Sequence, residues 1–200
     1  MRFAICKLQF AIWGMALVTS CAMGAEIGVR GKMFTVDGRS VFLLGCSYYA
    51  GIGASDEVLK NDLDELRNCG FNWIRVWATW GAYGKDVSAV DGKSGKLRAE
   101  QFARLKKLIE ECDRRGMIVD VTLSRGNGTT GPARLQTMEA HRTAVEELVK
   151  GLKEKRNWYL DLGNERNIRD ARYRWLQELE PAFKAYLGNR SITMARLRVQ

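Results

Sequence analysis

Short apolar runs alternate along this chain with longer segments in which apolar residues recur every three or four positions. The apolar runs begin near residues 41, 72, 117 and 158. A short apolar run bounded by glycine is typical of a buried strand, whereas spacing of three to four is typical of an amphipathic helix. The pattern therefore predicts a strand followed by a helix, four times over.

The predicted strands cover residues 41–44, 72–77, 117–123 and 158–162. The third run is nearly continuous in apolar residues, as in strands that are buried on both faces. The first run follows residues 33–36 and the dipeptide Asp37-Gly38, which is a common hairpin turn. We therefore expect an N-terminal β-hairpin that leads into the first core strand.

Each predicted helix carries an apolar stripe. Ser55 is placed to cap the first helix, which Gly70 ends, and Gly116 ends the second helix. The third is predicted at about 135–155, and the fourth begins near Asp170.

The long loops, residues 78–97 and 124–133, both follow predicted strands. In a (β/α)8 barrel, the loops after the strands build the active site. A doubly wound sheet is the alternative, but no glycine-rich phosphate or dinucleotide motif follows any strand. The predicted fold class is therefore α/β, of the (β/α)8 TIM-barrel type, with about four βα units and the N-terminal hairpin.

The first 25 residues have the pattern of a secretion signal. Arg2 and Lys7 precede an apolar stretch at 10–18 that is too short to span a membrane, and small residues follow it. Residues 18–21 resemble a bacterial lipobox, which would place a lipid on Cys21, while residues 22–24 suit ordinary signal peptidase. We favour secretion to an extracytoplasmic location, with membrane attachment only if Cys21 is lipidated.

Composition narrows the function classes. Hydrophobic residues make up 46% and charged residues 28% of the chain, as in ordinary globular proteins. The net charge of +9 falls to +7 without Arg2 and Lys7, and it is spread over several helices without a nucleic-acid motif. The single histidine, His141, leaves little material for a metal site, so we expect no metal, cofactor or nucleic-acid partner. Odd in number and set in apolar patterns, Cys46, Cys69 and Cys112 are predicted to be buried thiols.

The candidate chemistry lies at the end of the fourth predicted strand. Gly163 stops the run, and Asn164 and Glu165 follow it. Parallel α/β folds place their chemistry at the carboxyl ends of strands. An Asn beside a Glu is a weak signal alone, because any surface turn can contain it.

Several motifs in order strengthen that signal. They are the hairpin into residues 44–45, residues 70–77 (GFNWIRVW), residues 115–119 (RGMIV) and Asn164-Glu165. Together they resemble the clan A retaining glycoside hydrolases, most closely glycoside hydrolase family 5, the cellulase and mannanase type. The resemblance covers about residues 30–175, so the predicted domains are a signal at 1–25, the N-terminal part of a catalytic barrel at 26–187, and an unmatched basic tail at 188–200.

The resemblance implies roles for individual residues. Glu165 would be the general acid/base, Asn164 would bind the hydroxyl at sugar carbon 2, and Arg75 would hold the nucleophilic carboxylate ionised. Retaining hydrolysis needs such a second carboxylate about 5 Å from the acid. Aromatic rings at strand ends would stack on sugar faces, and the candidates are Tyr48, Tyr49, Trp77, Trp80 and Tyr83.

Structural explanations stay open for most of these residues. Glu165 would then be a turn acid paired with Arg166 or Arg169, and Arg75 a structural partner of an acid inside the barrel. The residues for which a packing role is favoured are Trp73, Trp77, Trp158, His141 and the two mid-strand acids Asp120 and Asp161.

The chain also departs from the family pattern. The family nucleophile is a second Glu after the seventh strand, but after Glu165 only Glu178 and Glu180 occur, both in a helical pattern. Ser124 and Arg125 stand where relatives usually carry a His. The predicted function is hydrolysis of O-glycosidic bonds in a β-linked polysaccharide or oligosaccharide, and the alternative is a non-catalytic carbohydrate-binding or inactive truncated barrel.

A sheet of four βα units exposes strand edges on both sides. We therefore expect this polypeptide alone to be poorly folded or to self-associate. Light scattering and chemical unfolding measure this directly, and a monomer that unfolds cooperatively would contradict it.

Overall fold

The computed structural model describes residues 24–123 and 134–163. The strands in chain order are β1 (Ile27–Arg30), β2 (Met33–Val36), β3 (Arg39–Ser40), β4 (Gly45–Ser47), β5 (Trp73–Trp77), β6 (Gly81–Ala82), β7 (Lys85–Asp86), β8 (Ile118–Thr122) and β9 (Trp158–Asp161). The helices are α1 (Asp56–Asn68), α2 (Ala99–Arg114) and α3 (Met138–Leu152), and a 3-10 turn covers Gly51–Gly53. The predicted signal up to residue 23, the fourth helix and the basic tail lie outside the described residues.

The central sheet has four parallel strands in the order β4-β5-β8-β9. Each successive pair of strands is joined through one helix, because parallel neighbours need a crossover connection. Strand order therefore follows chain order, as in consecutive units of a (β/α) barrel. The predicted alternation of strand and helix is confirmed for these residues.

The two faces of the sheet have different partners. Side chains alternate along a strand, so Ile74, Val76, Val119 and Val121 belong to the large core that the helices complete. The opposite face, which no helix of the described residues covers and which we call the helix-free face, carries the residues in between. They are Trp73, Arg75, Trp77, Ile118, Asp120, Thr122, Tyr159 and Asp161. In a (β/α) barrel this second face is the interior.

The N-terminal hairpin lies against the lower part of the helix-free face. Ile27, together with Phe34 and Val36, packs with Ile118 and Tyr159 in a second apolar cluster. The hairpin is tied to the sheet by the Ile27 amide, which donates to the Arg156 carbonyl at 3.0 Å. The hairpin therefore covers the amino ends of the strands and does not cover their carboxyl ends.

The prediction of a core strand at residues 41–44 is wrong. The hairpin partner is β3, the core strand begins at Gly45, and Phe42 is 80% exposed. The side chain of Asn72 explains the difference, because it donates to the Phe42 carbonyl at 2.9 Å and accepts from the Leu44 amide at 2.8 Å. An amide side chain thus replaces strand pairing in this connection.

The helix ends agree with the sequence signals. The Ser55 hydroxyl accepts from the Val58 amide at 3.2 Å, and Thr137 caps α3 in the same way. Gly70 and Gly116 adopt φ values of 86° and 64° beyond α1 and α2. The third helix is shorter than predicted, and Cys69 is exposed at the end of α1, which corrects its prediction as a buried thiol.

No helix among the described residues is long and apolar enough to cross a membrane.

The loop that follows β5 is held by backbone hydrogen bonds along its length. The Ala89 amide donates to the Ala78 carbonyl at 2.8 Å, and the Arg98 amide donates to the Ala89 carbonyl at 2.9 Å. Further along, Gly95 rests on α3, where an added Cβ would lie 1.9 Å from the Ala140 carbonyl oxygen. The loop is therefore a packed part of the domain.

We predict that Gly95→Ala destabilises the protein more than Gly116→Ala does. Both glycines have positive φ, 73° and 64°, so both variants acquire backbone strain of about 1–2 kcal/mol. Only the Gly95 variant also meets a helix backbone, since nothing lies within 4 Å of a Cβ at Gly116, and overpacking adds about 1–3 kcal/mol. Urea unfolding of the two variants measures the difference, and equal losses would contradict the packing of the loop on α3.

Candidate functional site

A buried charged layer crosses the helix-free face near the carboxyl ends of the strands. Arg75 on β5 is in register with Asp120 on β8, and Asp161 on β9 lies two positions further along, opposite Thr122. The Arg75 Nε donates to Asp120 Oδ2 at 3.0 Å, and its Nη2 lies 3.6 Å from Asp161 Oδ2. One guanidinium therefore connects three neighbouring strands.

Neutral donors complete the environment of Asp120. The Thr122 hydroxyl donates to Asp120 Oδ1 at 2.9 Å, and the Tyr159 hydroxyl donates to Oδ2 at 3.2 Å. That tyrosine hydroxyl itself accepts from the Trp73 indole N–H at 2.9 Å, and the Trp73 ring also lies 5.6 Å from the Arg75 guanidinium carbon. The layer is thus a continuous hydrogen-bonded network, and the Trp73 ring lies next to its guanidinium group.

Burial and charge act in opposite directions on these groups. Burial raises the pKa of Asp120 to about 7, the nearby Asp161 carboxylate adds to the rise, and Arg75 opposes it. Burial also raises the pKa of Asp161, against the Gly163 amide and Arg75. Burial disfavours the charged guanidinium of Arg75, but Asp120 and Asp161 outweigh burial, and its pKa is raised.

Three aromatic rings cluster just beyond this layer. Tyr49 stacks on Trp77 with ring centroids 5.9 Å apart and planes 13° from parallel. The centroid of the Trp80 ring lies 5.1 Å from the centroid of each of these rings, and its plane is tilted relative to theirs. Trp77 is buried, whereas Tyr49 is exposed and Trp80 partly so. The cluster therefore has a fixed inner ring and two outer rings that face solvent.

The loop after β5 sets the position of Trp80. The Ser88 hydroxyl accepts from the Trp80 amide at 3.0 Å. At the tip, Tyr83 and Gly84 join β6 to β7 with φ values of 52° and 70°. Positive φ is costly for tyrosine, and such strain is tolerated where the surrounding structure demands it. The Tyr83 side chain, 62% exposed, projects into solvent from this turn.

The structure brings together some of the sequence-predicted site residues. Arg75 lies in the charged layer and Trp80 in the aromatic cluster. Tyr83 is on the same loop as Trp80. Tyr48 lies elsewhere, because its hydroxyl donates to Asp62 on α1 at 2.6 Å and its ring packs on the main core. Asn164 and Glu165 lie outside the described residues, so their predicted roles are not tested by the geometry.

Sequence reasoning treated Asp120 and Asp161 as structural acids and favoured Trp77 as core. The structure buries all three, and it also makes them part of the layer and the cluster. Their position on one face follows from strand alternation with Arg75, a signal that the sequence contains. Within the described ranges, no group of three His, Cys, Asp or Glu side chains is placed to hold a metal ion.

Comparison with known proteins identifies related folds. Residues 31–190 match the family model described as Cellulase (glycosyl hydrolase family 5). A comparison with curated protein sequences finds no match.

Solved structures similar to this chain are glycoside hydrolases. A family 5 glycoside hydrolase from Bacteroides vulgatus has a TM-score of 0.66 at 15% identity over 86% of this chain and 39% of its own. A family 5 mannosidase from Rhizomucor miehei has a TM-score of 0.61 at 18% identity, and the match covers 85% of this chain and 55% of the mannosidase. A β-glucanase from Saccharophagus degradans, solved with cellotetraose, has a TM-score of 0.61 at 15% identity, and the match covers 85% of this chain and 53% of the glucanase. The chain spans about two fifths of the first of these, and the shared fold is the (β/α) barrel.

We predict that Arg75→Met destabilises the fold by about 3–5 kcal/mol, because it leaves two buried carboxyl groups without their cation. The loss should shrink as pH falls, since protonation removes the uncompensated charge. Urea unfolding at several pH values measures this. The matched control is Lys60→Met in the exposed pair with Asp64, where a change of less than about 1 kcal/mol is expected. Equal effects of the two substitutions would contradict the importance of the layer.

Proposed function

Because this chain belongs to glycosyl hydrolase family 5, we propose that it supplies part of a site that hydrolyses O-glycosidic bonds in a β-linked polysaccharide or oligosaccharide. The observation that carries the proposal is the convergence of the charged layer and the aromatic cluster at the carboxyl ends of β5, β8 and β9. Asn164 and Glu165 follow β9 directly along the chain. Active sites of (β/α) barrels lie at this end of the sheet.

The aromatic cluster supports a carbohydrate as the substrate. Sugar rings present faces of C–H groups that stack on flat aromatic rings, and the outer rings of Tyr49 and Trp80 offer such surfaces. Tyr83 adds an exposed ring on the same loop. By their printed names, the glucanase solved with cellotetraose and the mannosidase bind or act on such glycans.

The chemistry that we propose is the retaining two-carboxylate mechanism. Glu165 protonates the leaving oxygen as general acid, and after the glycosyl–enzyme intermediate forms it activates water as general base. Asn164 binds the hydroxyl at carbon 2, and Arg75 holds the attacking carboxylate ionised. That second carboxylate has no candidate in the expected context after Glu165, where only Glu178 and Glu180 remain.

The solvent-facing rings of Trp80 and Tyr83 also suit a second function. The chain would then bind glycans through Trp80, Tyr83 and Asn164 without turning them over. An extracytoplasmic location, secreted or periplasmic, suits either function and rests on the predicted signal at residues 1–25. Self-association through open sheet edges remains part of the proposal.

We predict that Trp80→Ala weakens binding of β-1,4-linked gluco- or manno-oligosaccharides about tenfold, because one stacked ring contributes about 0.5–1.5 kcal/mol beyond its buried area. Titration calorimetry measures the affinity. Phe42→Ala is the matched control, since Phe42 is an exposed ring before the amino end of β4, and its affinity should equal that of the unaltered chain. Equal losses in both variants would argue against the cluster as the glycan surface.

Glu165→Gln separates the two functions. Loss of β-glucan or mannan hydrolysis with retained binding supports the enzyme, because Gln keeps the shape but cannot give up a proton. Binding without hydrolysis, unaffected by Glu165→Gln, would leave only the binding function.

A further inference from the structure

Three consecutive backbone amides are bound where the chain enters the N-terminal hairpin. The Ala25 amide donates to Asp113 Oδ1 at 2.9 Å, and the Ile27 amide donates to the Arg156 carbonyl at 3.0 Å. Between them, the Glu26 amide donates to an aspartate of the hairpin turn at 2.8 Å. The side chains of Ala25 and Ile27 are buried in the apolar cluster under the sheet. The fold therefore holds the chain firmly from Ala25 onward.

The carboxylate that binds the Ala25 amide is in an unusual place. Asp113 lies in the last turn of α2, where the helix dipole disfavours a negative charge. The two arginines that follow it in sequence, Arg114 and Arg115, both bind Glu111. Within the ranges that the structure describes, Asp113 has no ion-pair partner, and its carboxylate accepts from the Ala25 amide. A positive charge at the Ala25 nitrogen would offset both the carboxylate and the helix end.

Gly24 lies against the same carboxylate. A Cβ added to Gly24 would collide with the Asp113 side chain, so a larger residue would displace the carboxylate from the Ala25 amide. Gly24 is also a small residue with Ala22 two positions before it, which is the pattern that precedes the bond cut by signal peptidase. The steric observation and the sequence pattern therefore meet at one peptide bond, between Gly24 and Ala25.

We propose that the Gly24–Ala25 bond is the processing site of this chain, and that the ammonium group released on Ala25 forms an ion pair with Asp113. Hydrolysis adds one water across the bond, so that Gly24 leaves as a carboxylate and its proton passes to the new amine of Ala25. The nitrogen already lies 2.9 Å from Asp113 Oδ1, so a charge-assisted hydrogen bond replaces a neutral donor in the same position. Such bonds are roughly twice as strong as those of neutral donors.

This ion pair would attach the hairpin to α2 after processing. The hairpin is otherwise held by its apolar cluster and by the ion pair of Glu26 with Arg156. The processed chain therefore gains a contact that the precursor has only in a weaker form. The site is independent of the proposed function, because it lies at the amino ends of the strands and contacts no residue of the charged layer.

N-terminal sequencing and intact mass of the full chain, after export from a bacterial host, test the processing site. We expect the exported chain to begin with AEIGV, residues 25–29. Cys21→Ser removes the alternative lipid site and should leave this start unchanged. A chain that begins at an acylated Cys21, that keeps residues 1–24, or that begins at any other residue would overturn the proposal.

Gly24→Ala and Gly24→Leu are a matched pair for the same bond. Alanine is small enough for signal peptidase, so Gly24→Ala should still be cut before Ala25, whereas the bulky side chain in Gly24→Leu should prevent that cut. Because residue 24 is removed on processing, the processed Gly24→Ala chain should have the same urea midpoint as the unaltered chain. Equal cutting of both variants before Ala25 would show that the bond is not selected by its small residue, which contradicts the proposal.

Several charged groups of the described residues face the new ammonium group. They are Asp113 on α2, Glu26 and Asp37 on the hairpin, and Arg156 before β9. Glu26 and Arg156 bind each other, so the nearest acid without a cation is Asp113. An adjacent carboxylate favours the charged form of an amine and raises its pKa, while burial of Ala25 lowers it. Comparing variants at position 113 isolates the contribution of the carboxylate, because the burial of Ala25 is common to them.

Trace acetylation of the Ala25 amine at a series of pH values measures the pKa of that amine in the processed chain. Asp113→Asn keeps the shape and an acceptor oxygen but removes the charge, and it should lower this pKa by about one unit. Asp56→Asn is the control, since Asp56 pairs with Lys107 at the start of α1 at 2.6 Å, and it should leave the pKa unchanged. In urea all three chains should show the ordinary value of about 8.

An amine pKa that is the same in native Asp113→Asn and in the native unaltered chain would overturn the ion pair. Sequencing of the exported chain does not require the Asp113 variant to fold, so the processing site is tested in either case. Neither measurement involves a glycan, and failure of hydrolysis or of glycan binding leaves both results as they are.

Discussion

The contact of Arg75 with two carboxyl groups is the interaction on which the candidate site depends. It connects β5, β8 and β9 through side chains on the face that is free of helices in the part of the chain that the structure describes. Apolar packing cannot set this geometry, because apolar contacts have no preferred direction, whereas a guanidinium and a carboxylate bind in a defined plane. Hydrogen bonds of Thr122, Tyr159 and Trp73 extend this network. Through Tyr159 and Trp73 it reaches the apolar cluster that the hairpin forms with the sheet.

Two kinds of constraint meet at the carboxyl ends of the strands. The helix-facing side is a large apolar core that holds the strands in register. The long loop after β5 then places Trp80 through backbone contacts and through Gly95 on α3. The rings that we propose for glycan binding are consequently supported by residues distant in the chain, so their positions depend on the packing of α3 as much as on β5.

Much of the fold follows from local sequence signals. The β5 and β8 runs, the cap Ser55, and the glycines that end α1 and α2 were each readable, because period, capping and positive φ are short-range properties. The first core strand was not. Residues 41–44 are apolar, but their pairing depends on the Asn72 side chain, 28 residues or more away. Exposure of Cys69 was missed for a similar reason, since it depends on which side of the helix end meets the core.

The sequence by itself determined the order of strands and helices, the family resemblance and the nature of the candidate groups, because these depend on residue type and spacing along the chain. Only the tertiary structure decided their partners. It placed Tyr48 against Asp62, stacked Tyr49 on Trp77, and joined Arg75 to Asp120 and Asp161. The physical reason is that parallel strands joined by long crossovers bring together residues that lie about 40 apart in sequence, and no local pattern specifies which of them touch.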